Sequence, residues 1–151
     1  MQMKYIVWAS LAGAFIPIMA VLNARLGAAL GVSLHAPFVL FCVGLIVTML
    51  SALAIAGSLP TIGQLSETPA FNLIGGVIVA FYVISATLLA PRIGVSNFIF
   101  FAVSSQILIS ICIDHFGWFG VQIRPVDSVK LIGAGLLISG LVITQFSRGS
   151  T

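Results

Sequence analysis

The hydrophobic positions of this chain come in five long runs, at 5–22, 36–57, 71–90, 93–113 and 131–146, and every charged residue lies outside them. The runs are continuous. A membrane-spanning β-strand shows about ten residues that alternate between apolar and polar, whereas roughly 20 apolar residues in a row cross a hydrocarbon core of about 30 Å as a helix. Four runs reach that length, and the fifth does so once Val129 and the aliphatic stem of Lys130 are added. The pattern predicts an all-α membrane protein: one transmembrane domain over 1–151 with helices at about 4–23, 35–57, 70–90, 93–114 and 128–147. Lys4 ahead of an apolar run fits a signal peptide in part. No small-x-small cleavage site follows Leu22, however, and four further runs do, so the first run reads as the first span.

The connectors are short and carry turn chemistry, which predicts a compact bundle without a soluble domain. Gly57-Ser58-Leu59-Pro60 closes the second run, and Pro91-Arg92-Ile93-Gly94 reads as a tight turn after the third. In the last loop, Trp118 and Phe119 suit the membrane interface, and Asp127 or Ser128 can cap the final helix.

Composition sharpens the class. Hydrophobic residues make up 60% and charged residues 6% of the chain, against about 25% charged in soluble domains. The six Lys and Arg form no cluster, so nucleic acid is not a partner. Cys42 and Cys112 lie inside apolar runs and read as buried free thiols. Without a Cys–His set they call for no metal, and nothing calls for a cofactor. Sorting the cations by side says more. On the side of the N-terminus, side A, fall Lys4, Arg124 and Lys130; on side B fall Arg25, Arg92 and Arg148. Orientation normally follows an excess of Lys and Arg on the cytoplasmic side, and three against three leaves none. Insertion in both directions would allow an antiparallel homodimer, two five-helix copies related by an axis in the membrane plane, as in inverted-repeat transporters.

Polar groups within the runs are the candidate site. Pro17 supplies no N–H to the Gly13 carbonyl, and Ser10, Gly13, Pro17 and Ala20 share a helical face that can line a pathway or pack closely. Arg25 lies within a span if the first helix continues to Leu30, and otherwise snorkels to the headgroups. Gly27 and Gly31 have the spacing of a GxxxG pair. Gln106, Ser110 and Asp114 recur at i, i+4 and i+8, with Ser104 and Ser105 elsewhere on that helix. Gln106 reads as the most buried amide, bonded either to a ligand or to another helix. Tyr82 shares a face with Gly75 and Ser85, and its ring can stack on a substrate. Gly133, Gly135, Ser139 and Gly140 permit close approach and read as the subunit contact. Asp114 would meet Arg25 at one membrane level only across an antiparallel dimer. Asp114 and His115 diverge by about 100° on a helix and form no dyad; no catalytic set is complete, so the chain does not read as an enzyme.

Taken in order, Asn23-Ala24-Arg25-Leu26-Gly27, Leu30-Gly31, Gly75-Gly76, Tyr82-Val83, Pro91-Arg92-Ile93-Gly94, Gln106 and Asp114-His115-Phe116-Gly117 resemble the YdcZ-like family, small bacterial inner-membrane proteins of the drug/metabolite transporter superfamily. The resemblance spans nearly the whole chain. It implies a five-helix unit, half of a ten-helix EamA-type fold, and dual-topology pairing. Better-known small multidrug relatives carry a membrane-embedded glutamate in helix one; this chain has no carboxylate there, and Glu67 is in a loop. That departure argues against proton-for-cation exchange and points to a neutral, zwitterionic or anionic polar substrate.

These observations lead to a secondary transporter or facilitator of a small polar metabolite across the inner membrane, with alternating access. The partners are the lipid bilayer, a small-molecule substrate and a second copy of the chain. Gly13, Pro17, Asn23, Arg25, Tyr82 and Gln106 are the expected substrate contacts, and Asp114 is a charge partner or gate. The alternatives are a non-transporting scaffold or accessory subunit, with a dry interface, and a passive pore.

Overall fold

The computed structural model describes residues 3–146. The expected end of the last helix at 147, and Arg148 with its place in the charge balance, lie outside the described residues. All regular structure among the described residues is helical: α1 (Met3–Ala29), α2 (His35–Ala56), α3 (Ile62–Glu67), α4 (Ile74–Ile93), α5 (Val95–Phe116) and α6 (Ser128–Phe146). Four segments are long and apolar enough to cross a membrane: α1, α2, α5, and α4 together with the single turn of 3-10 helix that begins at Ala70. α6 is a shorter apolar helix of 19 residues, about 28 Å at about 1.5 Å per residue.

The helix ends show where side-chain chemistry overrides the apolar count. α1 runs on past Asn23 to Ala29, because nothing between Asn23 and Ala29 breaks a helix. It stops where Gly31 takes φ +74°, a left-handed conformation open to glycine. The expected GxxxG pair therefore does not form, since Gly27 is helical and Gly31 is in the turn. Pro91 sits within the last turn of α4 rather than in the connector, and the helix ends at Gly94, φ +91°, whose N–H reaches the Ala90 carbonyl at 3.0 Å. Thr61 and Gln64 close a capping box on the short α3. Asp127 caps α6, its Oδ1 accepting from the Lys130 N–H at 2.7 Å.

The chain forms two compact units, Met1–Val95 and Ser96–Thr151. In the first, α1, α2 and α4 meet pairwise. Since α2 returns between them, α1 and α4 run in the same direction. Their buried positions cluster at one end: Ala20, Asn23 and Gly27 of α1, Ala36 and Pro37 of α2, and Val83, Ala86, Thr87 and Ala90 of α4. The residues are small, and the spacing of three and four places them on one stripe of each helix. A Cβ on Gly27 would stand 3.0 Å from the Ser33 Cα and 3.3 Å from its carbonyl oxygen, so the turn into α2 lies directly on α1. Toward the opposite end, α1 is exposed from Met3 to Phe15 and α4 from Ile74 to Val79. The three helices are closed on side B and splay toward side A, and Pro17 lies where packing gives way to splay.

The second unit holds α5 and α6. Gly117, φ +65°, turns the chain out of α5, and a Cβ there would fall 2.6 Å from Ile123 Cγ1. The following segment folds back over the end of α5. The Arg124 N–H donates to the Asp114 carbonyl at 2.8 Å, the Val126 N–H donates to His115 Nδ1 at 3.2 Å, and Trp118 stacks on Phe116. α5 and α6 leave a crevice of about 530 Å³ between them, lined by Ile99, Phe100 and Val103 on one side and Leu137, Gly140 and Leu141 on the other. Large apolar side chains are exposed along every long helix, from Trp8 to Ile143. Water would not tolerate so continuous a surface; hydrocarbon does, since lipid tails are as apolar as leucine.

Candidate functional site

A polar amide in a stripe of alanine, glycine and valine must find a partner, because an unbonded one costs several kcal/mol in hydrocarbon. Asn23, 5% exposed, is that amide. Its Nδ2 donates to Thr87 Oγ1 across the α1–α4 seam, and the Thr87 hydroxyl donates in turn to the Val83 carbonyl at 2.8 Å. Thr87 is itself 2% exposed. Pro91, four residues on, has no N–H for the Thr87 carbonyl, so main-chain polarity is also uncovered at this level. On its other flank, Asn23 lines a crevice of about 210 Å³ between α1 and α2, walled by Met19, Leu22, Leu26 and Val43 among others.

Depth follows from helix rise. From Lys4 to Arg25, α1 climbs about 31 Å at about 1.5 Å per residue, close to the ~30 Å of the hydrocarbon core. With Lys4 at one surface, Arg25 reaches the other, where its exposed side chain meets headgroups and water. On that placement Asn23 lies about 3 Å deeper than Arg25, and the continuation of α1 to Ala29 does not by itself set Arg25 in the middle of the span.

The other expected contacts take different environments. Pro17 is half-buried, while Gly13 is exposed with open space where a Cβ would stand; both lie on the stripe of α1 that continues from Ala20 into the splayed end. Tyr82 is half-buried, about 100° around α4 from Val83. Gln106 is exposed, and among the described residues Asn23 is the buried amide instead. The difference is one of neighbours: Asn23 faces the small residues of α4, which let two backbones close around it, and periodicity along α5 carries no such information. The serines flanking Gln106 turn inward to their own helix, Ser104, Ser105 and Ser110 donating to the carbonyls of Phe100, Phe101 and Ile107. Asp114 is half-buried at the end of α5, its carbonyl held by the returning loop. Cys42 is exposed and Cys112 half-buried, both free thiols, so the expectation of two buried thiols fails, at Cys42 outright.

Gly133, Gly135, Ser139 and Gly140 are all exposed, and the three glycines have open space where a Cβ would stand. They do not form one surface. Gly140 borders the crevice with α5, and Gly133 lies close to it around the helix, whereas Gly135 and Ser139 face the opposite way; the Ser139 hydroxyl donates to the Gly135 carbonyl at 2.8 Å.

Thr87 is the residue that the sequence did not single out. A threonine inside an apolar helix bonds its own backbone by default, so its type announces nothing. The available signal was Pro91 four residues later, together with the small-residue spacing of Val83, Ala86 and Ala90.

Compared with known proteins, residues 4–143 match the profile of a drug/metabolite transporter family, DMT_YdcZ, described as "Putative inner membrane exporter, YdcZ". No curated protein and no solved structure matches the chain.

Proposed function

The chain belongs to the YdcZ family of inner-membrane exporters, and from that premise we propose that it is a secondary transporter or facilitator of a small polar metabolite, working as an antiparallel homodimer. Its membership makes it a multi-pass inner-membrane protein of a transporter family rather than an enzyme family. The finer reading rests above all on one observation, the bonded Asn23–Thr87 pair where the first helical unit closes, beneath an end that splays open. A unit closed on one side and open on the other is half of an alternating-access device. A second copy turned over would offer the same closed end to the opposite surface, so that rocking between two equivalent states exposes the site to each side in turn.

In this reading α6 is the fifth crossing, just long enough at about 28 Å. Substrate passes between the copies along a polar path that runs from Gly13, Pro17, Tyr82 and Gln106 near mid-membrane to Asn23 close to the closed end, and Arg25 stands at the pathway mouth. Asp114 of one copy pairs with Arg25 of the other as a gate. The equal charge balance supports dual insertion, and the face of α6 that carries Gly135 and Ser139, turned away from the crevice with α5, supplies the dimer contact.

The test is orientation locking. Two lysines added to the side-A loops, or two added to the side-B loops, should each fix one topology and abolish efflux from proteoliposomes. Co-expression of the two locked forms should restore it. Full transport by a single locked form would rule out the antiparallel dimer.

A further inference from the structure

We propose that Thr87 is the positioning residue of the site: it turns Asn23 into a hydrogen-bond acceptor toward the α1–α2 crevice, so that the substrate group recognised there is a donor, a hydroxyl or an amine N–H, rather than a carboxylate or phosphate oxygen. The proposal rests on Asn23 being a substrate contact, and it narrows the polar-metabolite class to molecules that present a donor.

The Thr87 hydroxyl owns a single proton, and that proton goes to the Val83 carbonyl at 2.8 Å. A carbonyl has none to return. The Thr87 oxygen can therefore only accept, and the Asn23 atom beside it has to be the Nδ2 donor. The two ends of an amide are nearly equal in shape, so packing alone would not choose between them; the threonine's one proton does. One of its two Nδ2 protons is spent on Thr87 and the nitrogen is held against α4, which leaves Oδ1 as the acceptor end of the amide for a ligand. Asn23 lines the crevice of about 210 Å³, whose remaining walls, Met19, Leu22, Leu26, Val39, Leu40 and Val43, are apolar. An acceptor set among apolar walls discriminates by chemistry. A hydroxyl or N–H completes the bond, whereas an anionic oxygen meets lone pairs and loses its hydration without replacement.

Two measurements on the full chain test this. In nanodiscs, proton exchange of the isotope-labelled Asn23 side-chain amide should be slow in the wild type and in Thr87→Ser, which keeps the hydroxyl. In Thr87→Val, which keeps the shape, it should be about tenfold faster. Equal exchange in the wild type and Thr87→Val overturns the positioning role. Efflux from proteoliposomes then uses two labelled probes, erythritol, rich in hydroxyl donors, and oxalate, which at neutral pH has none. Erythritol should leave through the wild type and Thr87→Ser. Thr87→Val should raise its KM about fivefold with kcat little changed, and oxalate should leave no faster than from empty liposomes. Preference for oxalate overturns the donor assignment while transport stands. Failure of both probes, with amide exchange still slow in the wild type, overturns the reading of Asn23 as a substrate contact and the donor assignment with it.

Discussion

Asn23 and Thr87 are each nearly inaccessible and face each other across two helices, so removing either partner removes the same bond. Asn23→Ala and Thr87→Val should each destabilise the protein by about 1 kcal/mol. The double variant should cost less than the sum, by about 0.5–1.5 kcal/mol, the range of hydrogen bonds measured between membrane helices. Reversible unfolding in mixed micelles measures the cycle, and strict additivity would mean that the bond carries no energy. Gln106→Leu should leave stability within about 0.5 kcal/mol, because Gln106 is exposed; a larger loss would place it in a bonded network. At this scale the sequence was half legible. Asn23 was expected as a substrate contact but Gln106 as the most buried amide, because the neighbours that bury Asn23 lie on another helix, 64 positions away.

Glycines in α1 that look alike in sequence should behave in opposite ways. Gly27→Ala sets a Cβ 3.0 Å from a backbone atom of Ser33, which cannot rotate away, and should cost about 1–3 kcal/mol as the turn into α2 is pushed off. Gly13→Ala meets open space and should stabilise the helix by about 0.5–1 kcal/mol. Thermal melts of the two variants in one detergent check the sign of each. Pro17→Ala restores an N–H for the Gly13 carbonyl and should raise stability by about 1 kcal/mol. If Pro17, at the boundary of the exposed end, serves access, the same change should slow efflux several-fold in the assay described above. The helices themselves were legible from the runs, since about 20 apolar residues in hydrocarbon have no alternative to helix. Their ends were less so: α1 outran its apolar run to Ala29, and α4 absorbed Pro91 in its last turn at the cost of the bond to the Thr87 carbonyl.

For the whole molecule, the dimer reading makes a charge-swap prediction. Arg25→Asp and Asp114→Arg should each reduce efflux by about tenfold or more, and the double variant should recover most of it, because the pair re-forms across two copies with its sign reversed. Efflux from proteoliposomes of the three variants measures this; no recovery in the double variant would remove the Arg25–Asp114 gate. Reporter fusions at the C-terminus should register both orientations in comparable amounts, as the three-against-three charge balance implies.

The sequence alone determined the solvent and the secondary structure. Nine charged residues, all outside the five apolar runs, leave only a membrane protein, and uninterrupted apolar runs leave only helices. It also carried the family, through motifs that span most of the chain. Only the tertiary structure decided which polar group is buried, because burial depends on which small residues of a distant helix allow two backbones to approach. The stripe of Ala20, Asn23 and Gly27 meets that of Val83, Ala86, Thr87 and Ala90, and Gln106 has no such seam around it. It decided, too, that the first three long helices close at one end and part at the other, since the side chains that hold them together stop at Pro17.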